Sequence, residues 1–522
     1  MIRATPGPPQ RGGYHDPICC LGAAQLARQI AGGQLTAEQV VSAHIAQIGR
    51  VNPRINALSV PLFDQARLAA RHADDVLRSG APLGPLHGVP FTVKDSFHVL
   101  GTRSQIGIAN LSYPVATADS VLVAGLKRAG AVLLGKTNVP QLMLWHECDN
   151  PIYGRTNNPC DEHRTPGGST GGEAALIAAC GSPLGLGSEL GGSIVVPAHF
   201  CGICGLKPTA GRLTRTGTRQ NFAGMEAMKV SAGPLARRVE DVALAFRVLL
   251  GASRELDPAD TSPVALAESG DVRIEGLRIA VWASSHYFPA SPAIRRAVAE
   301  AAGCLERQGA IVSTFEPPDL AHALALYFGL LSADGGRNFR RLLKGSVVDR
   351  RVRRIVRGSH LSRPVRAMMV WLLDKTGNRR LARMLSWSGR RSAGEYLDLC
   401  RARQEYENQF MQEFDRLQYD AMLCPAYALP AIPHGRAVDL MPAACYSFLT
   451  NLLGLPTGVV PVTRVQKGEE SDRAILDRGD AFAIAAEAGT VGLPVGVHVV
   501  ARHWREDVVL AVMAAIERRT PV

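Results

Sequence analysis

The chain has 522 residues, 46% hydrophobic and 20% charged, a globular composition too long for one small core, so one large α/β domain or two fused lobes are both open. No uncharged apolar run approaches the roughly 18 residues that a bilayer crossing needs. The net charge of +12 would suit a nucleic-acid binder, but Arg337 to Arg391 alone carries seventeen Arg or Lys against Asp349 and Asp374. The remainder is slightly acidic, so the charge argues for one basic segment and not for a nucleic-acid partner.

Residues 1–14 carry Arg3, Pro6, Pro8, Pro9 and Arg11 with no apolar stretch behind them, and read as an untethered arm, neither a signal peptide nor a span. The eleven cysteines are scattered. Only Cys201-Gly-Ile-Cys204 has metal or redox spacing, and a structural zinc site wants a second such pair. Buried thiols in a reduced, cytoplasmic compartment are the expectation.

In chain order, Leu26 to Val51 reads as helical, with Thr36 and Gln39 at capping-box spacing opening its second half. Phe63 to Arg78 is a second amphipathic helix. Val89 to Val93 is a short apolar run ending at Lys94, the pattern of a buried strand whose last residue reaches a loop. Ser120 to Ala129 reads as helix and Ala131 to Leu134 as strand. A glycine-rich block from Pro166 to Gly217 contains a helix over Glu173 to Ala179. Leu277 to Trp282 and Ile311 to Thr314 read as strands flanking a helix from Pro292 to Gln308. Val459 to Val462 and Val495 to Val500 are apolar strands, and Arg505 to Arg518 closes the chain as a helix. The alternation predicts an α/β fold, a parallel or mixed sheet with helices on both faces.

Three features converge on chemistry. Gly167-Gly168-Ser169-Thr170-Gly171-Gly172 leads into a small-residue helix. Gly185 to Ser193 ends in Leu190-Gly191-Gly192-Ser193. Gly88 to Asp95 carries Lys94. Paired glycines before a serine let consecutive backbone N–H groups turn toward one point, which makes an oxyanion hole without side chains. A serine hydroxyl must lose its proton during attack, and a lysine can take it only when neutral. Its free pKa is about 10.4, so burial must lower it by several units, and the apolar run before Lys94 suits that. Ser169 can donate and accept, and so can relay a proton between Ser193 and Lys94.

These residues resemble the amidase signature family over His87 to Thr209, and the spacing of Lys94, Ser169 and Ser193 is similar to that of its fatty acid amide hydrolase branch. Gly172 to Leu176 and Phe200 to Pro208 resemble that branch too. The resemblance is weakest between Ala252 and Arg403. It implies an amidase-signature α/β/α sandwich over 15–522, with a central mixed, largely parallel sheet. It implies Ser193 as nucleophile, Ser169 as bridge, Lys94 as base, and N–H groups of Leu190, Gly191, Gly192 and Ser193 as oxyanion donors. On the same pattern Met143 and Leu144 lie by an acyl channel, no metal or cofactor is needed, and a homodimer is open. Three departures stand out: Thr170 replaces a second serine, Glu189 an Asp, and Val195 an Arg. A lengthened acid without its arginine needs a new partner, since an unpaired buried carboxylate is costly.

Other motifs in the chain compete with this reading. Gly130 to Thr137 satisfies the nucleotide-binding P-loop pattern, but its four variable positions, Ala131 to Leu134, read as a strand and not as a loop round phosphate. His146, Glu147 and Cys148 have no helical metal-ligand spacing and read as structural or pocket-lining. His87 reads as a loop hydrogen-bonder. The basic segment, a helical insertion at about 337–395, interleaves arginines with Val365, Met368, Trp371, Leu372, Leu381, Met384 and Trp387, which suits docking of 363–387 on an anionic membrane. The expected substrate is an acyl amide, long-chain amides foremost, with esters admitted. The rivals are a glutaminase-type subunit of a tRNA-dependent amidotransferase and a non-enzymatic, membrane-associated homologue.

Overall fold

The computed structural model describes residues 16–109, 113–222 and 224–519; the arm expected at 1–14 lies outside them. Among the described residues, eleven strands form one sheet. They are β1 (Leu58–Pro61), β2 (Pro90–Lys94), β3 (Val132–Thr137), β4 (Leu184–Glu189), β5 (Cys204–Lys207), β6 (Ser231–Ala236), β7 (Arg278–Val281), β8 (Ile311–Thr314), β9 (Ala421–Pro425), β10 (Thr457–Arg464) and β11 (Pro494–Ala501). Their spatial order is β1-β3-β2-β4-β6-β5-β10-β11-β9-β7-β8. Parallel pairing occupies two regions, β3-β2-β4 and β9-β7-β8, and the pairs between them are antiparallel. The sheet is mixed and helices cover both faces, as the alternation predicts.

The two-faced covering follows from register. Val459 faces His498 and Pro461 faces Gly496 across the β10–β11 ladder, so these four share one face and Gly458 lies on the other. A side chain at Gly496 would meet His199 of helix Val195–Cys201, whereas one at Gly458 would meet Met513 and Val509 of helix Glu506–Glu517. β2 and β4 are buried along their whole length, as strands covered on both faces must be. The expected helix Leu26–Val51 is two helices, Ala23–Ala31 and Ala37–Ile55. Gly33, at a φ of +70°, turns the chain between them, and the second opens on the Thr36–Gln39 capping box.

The P-loop-like segment is strand. Val132 to Thr137 is β3, and the Lys136 ammonium sits 3.1 Å from the Asp95 carboxylate, both side chains buried. Lys136 also donates to Arg103 O and Ser104 Oγ, and Asp95 accepts from Ile106 N. This pair pins the loop that follows Lys94 to the neighbouring strand. Removing one member leaves an uncompensated buried charge, at a cost of about 3–5 kcal/mol. Lys136→Ala is therefore expected to lower the thermal midpoint by several degrees, read by circular dichroism; an unchanged midpoint would show that the pair adds nothing to the fold.

Candidate active site

Lys94 ends β2 and Ser188 and Glu189 end β4, so both parallel strands deliver these residues to the carboxyl edge of the sheet, where open α/β sheets place their sites. The Lys94 ammonium carbon chain is enclosed, with 1% of the residue exposed. Its Nζ lies 2.8 Å from Ser169 Oγ and donates to Ser188 O at 2.9 Å. Burial brings its pKa down to about 7, against the opposing pull of Glu189, Cys148 and Glu173.

Ser169 is buried, on a loop where Gly168 packs so tightly that a Cβ would stand 2.1 Å from Glu147 O. The Gly168–Ser169 peptide is cis. Thr170 N donates to Ser193 O at 3.1 Å and Thr170 Oγ1 to Ser188 O at 3.3 Å, so the two serine loops and the end of β4 are stitched together through one residue. Ser193 is half-buried, as is Gly191; Leu190 and Gly192 are buried. Of the expected relay, Lys94 and Ser169 are in direct contact, and Ser193 is joined to the Ser169 loop through the backbone bond to Thr170.

Glu189 has found the partner its sequence context lacked. Its Oε2 accepts from Ile194 N at 2.6 Å and Val195 N at 3.0 Å, and its Oε1 accepts from Asn451 Nδ2 at 2.7 Å. Val195 itself is fully buried in the apolar core. Glu173, one turn past Ser169, accepts from Thr92 Oγ1 and, at 2.9 Å, from Thr137 Oγ1; burial pushes its carboxyl up to about 8. Asn451 and Glu173 escaped the sequence reading. Asn451 lies on helix Cys445–Leu452, far along the chain, and carries no motif.

Met143 is half-buried and lines a small cavity with Ser96, Ser188, Val230 and Ala232; Leu144 packs against the apolar core. His87 Nε2 donates to Ala73 O, 3.0 Å away, as a loop hydrogen-bonder. Glu147 is held by Gly435 N, Ala437 N and Arg351. Cys201 and Cys204 are buried thiols.

A buried lysine with a lowered pKa against a serine, beside a second serine preceded by two glycines, suits acyl-transfer chemistry. The family model described as Amidase matches residues 39–510. The chain belongs to the amidase family. A pig (Sus scrofa) protein named fatty-acid amide hydrolase 1 is 35% identical over 502 residues, covering 95% of this chain and 85% of its own length. The Caenorhabditis elegans fatty acid amide hydrolase 1 is 31% identical, covering 96% and 88%. A solved structure titled fatty acid amide hydrolase superimposes with a TM-score of 0.82 at 25% identity, over 96% of this chain and 85% of that one. The amidase is thus an amide-hydrolysing enzyme by family.

The lowered pKa of Lys94 sets a sign. A base works deprotonated, so activity of the amidase is expected to rise about tenfold per pH unit below about pH 7 and to level off above it. Lys94→Ala is expected to lose the acid limb together with most of the rate. The pH profile of kcat/KM for both proteins checks this, and a mutant that keeps the same limb would assign the proton to another group.

Proposed function

We propose that this amidase hydrolyses acyl amides, long-chain fatty acid amides foremost and esters as well, through an acyl-Ser193 intermediate. The observation that carries the reading is the buried Lys94 amine 2.8 Å from Ser169 Oγ. Ser193 Oγ attacks the carbonyl as its proton passes to Ser169, whose own proton moves to Lys94. Backbone N–H groups from Leu190 to Ser193 face the developing oxyanion. The Lys94 ammonium returns the proton through Ser169 to the leaving amine. Water then attacks the acyl-serine as its proton passes through Ser169 to Lys94, and that proton returns to Ser193 Oγ as the carboxylic acid leaves.

Support for a long-chain substrate is the similarity to proteins named fatty acid amide hydrolases and the surface of the basic segment. Helix Arg363–Lys375 exposes Val365, Met368, Trp371 and Leu372, at 41, 59, 61 and 47%, along one stripe. Exposed Arg363, Lys375 and Arg379 flank it. Helix Arg379–Trp387 turns its apolar side inward instead: Ala382 and Met384 are buried. The membrane-docking face is therefore narrower than the sequence segment 363–387. Among the described residues no helix is long and apolar enough to cross a membrane. A glutaminase-type subunit would work with partner subunits, and purification without them separates it from this reading. A non-enzymatic homologue is opposed by the intact lysine–serine contact and by the new hold on Glu189.

Two tests follow. Ser193→Ala is expected to abolish fluorophosphonate labelling and hydrolysis while the protein stays folded; near-wild-type turnover would remove Ser193 from the role of nucleophile. Trp371→Ser with Leu372→Ser is expected to weaken sedimentation with anionic vesicles about tenfold or more and to slow long-chain turnover, with short soluble amides unaffected. Salt should weaken wild-type binding without abolishing it, since only the basic attraction, about 1 kcal/mol per residue, is screened. No lipid-dependent sedimentation at low salt would sink the membrane reading.

A further inference from the structure

The loop Leu190–Ser193 is gripped on its carbonyl side by two buried rings. Tyr327, on helix Leu320–Leu331, donates its hydroxyl to Leu190 O at 3.2 Å. His146 Nε2 lies 2.8 Å from Gly191 O. A carbonyl only accepts, so Nε2 carries the proton. Burial brings the His146 imidazole down to about 4, so near neutral pH it is an uncharged donor.

A peptide unit is planar, and in the trans form its C=O and the following N–H point in opposite directions. Holding Leu190 O therefore aims Gly191 N–H to the opposite side, and holding Gly191 O does the same for Gly192 N–H. We propose that Tyr327 and His146 are positioning residues that set the two glycine N–H groups as oxyanion donors, a role that rests on Ser193 being the nucleophile.

The sequence of the loop fits the grip. A Cβ at Gly191 would lie 2.2 Å from Tyr327 Oη, and one at Gly192 would lie 2.9 Å from Val196 and 3.2 Å from His146 Nε2. Gly192 also takes a φ of +103°, which side chains rarely adopt. Neither position can hold a side chain while the rings stand where they do. The rings are themselves fixed: Tyr327 stacks on Phe448 at 4.7 Å between centroids, and His146 packs against Phe448 and edge-on to Tyr427 at 5.9 and 5.8 Å. Phe448 belongs to helix Cys445–Leu452, which also carries Asn451, the partner of Glu189. One helix thus backs the carbonyl grip at Leu190 and Gly191 and the carboxylate that collects Ile194 and Val195 N–H. The loop is held from both sides without an arginine at position 195.

Four variants decide it. Tyr327→Phe keeps the ring and loses the donor; His146→Leu loses the donor; His146→Gln keeps an N–H at similar reach; Tyr327→Phe with His146→Leu removes both. Loss of a neutral hydrogen bond is worth about three- to tenfold. Each donor-deleting single is expected to lower kcat by about that factor with KM within twofold, and the double by more. Fluorophosphonate labelling should slow in step, and His146→Gln should recover most of the rate. The inference is overturned if folded Tyr327→Phe keeps wild-type kcat, if the losses fall on KM alone, or if His146→Gln is as slow as His146→Leu. Turnover by Ser193→Ala would instead sink the nucleophile reading, which separates the two failures.

Discussion

An amine enclosed by protein cannot keep its charge unless an opposite charge or several acceptors replace the water it has lost. Lys94 is given a carbonyl and a hydroxyl and no carboxylate in contact. Moving its pKa from 10.5 to about 7 corresponds to a penalty on the charged form of the order of 5 kcal/mol. Much of the surrounding architecture serves this imbalance. β2 is covered on both faces, so solvent does not reach its end. Glu173, the acid one turn past Ser169, is pushed by burial up to about 8, against the hydrogen bonds it accepts from Thr92 and Thr137, so near neutral pH it offers Lys94 little negative charge.

The contrast with Lys136 makes the point. Both lysines are buried on adjacent parallel strands, and the register sets Lys94 beside Thr137. Lys136 lies 3.1 Å from the Asp95 carboxylate and donates to two further acceptors, so its ammonium is matched by an acid and by hydrogen bonds. The acid next to Lys94 in sequence thus points to Lys136, not to Lys94. One buried lysine is set against a carboxylate, and the other against a serine hydroxyl and a carbonyl oxygen.

The loop before Ser193 shows how a family feature can be replaced. With valine at 195, the core gains an apolar side chain and the carboxylate at 189 loses an arginine. The extra methylene of Glu189 lets its carboxylate take two backbone N–H groups and the Asn451 amide. Hydrogen bonds to the carboxylate stand where an arginine side chain would in the family's pattern.

Much of this was legible in the chain itself. Hydrophobic periodicity and turn residues located the helix Phe63–Arg78 and strand β8 at their observed bounds, and most of the other elements they proposed to within a few residues. They proposed none of β1, β4, β5, β6 and β9. The glycine pairs and the run ending in Lys94 marked the site, because backbone freedom and local apolarity are properties of neighbouring residues. The break at Gly32 and Gly33 was missed, since helical periodicity continues on either side. Other features were out of reach of local pattern. Asn451, Tyr327 and His146 act through contacts across 262, 137 and 45 positions of sequence, and no spacing rule connects them to the loop they hold. Which side of helix 363–375 faces outward, and that helix 379–387 faces inward, was likewise set by packing, for both carry the same arginine-rich, apolar composition. The residues of the chain determined which groups are available and how its backbone can turn; the tertiary fold alone decided which lysine lost its counter-charge, because desolvation and long-range contact exist only once the chain has closed around them.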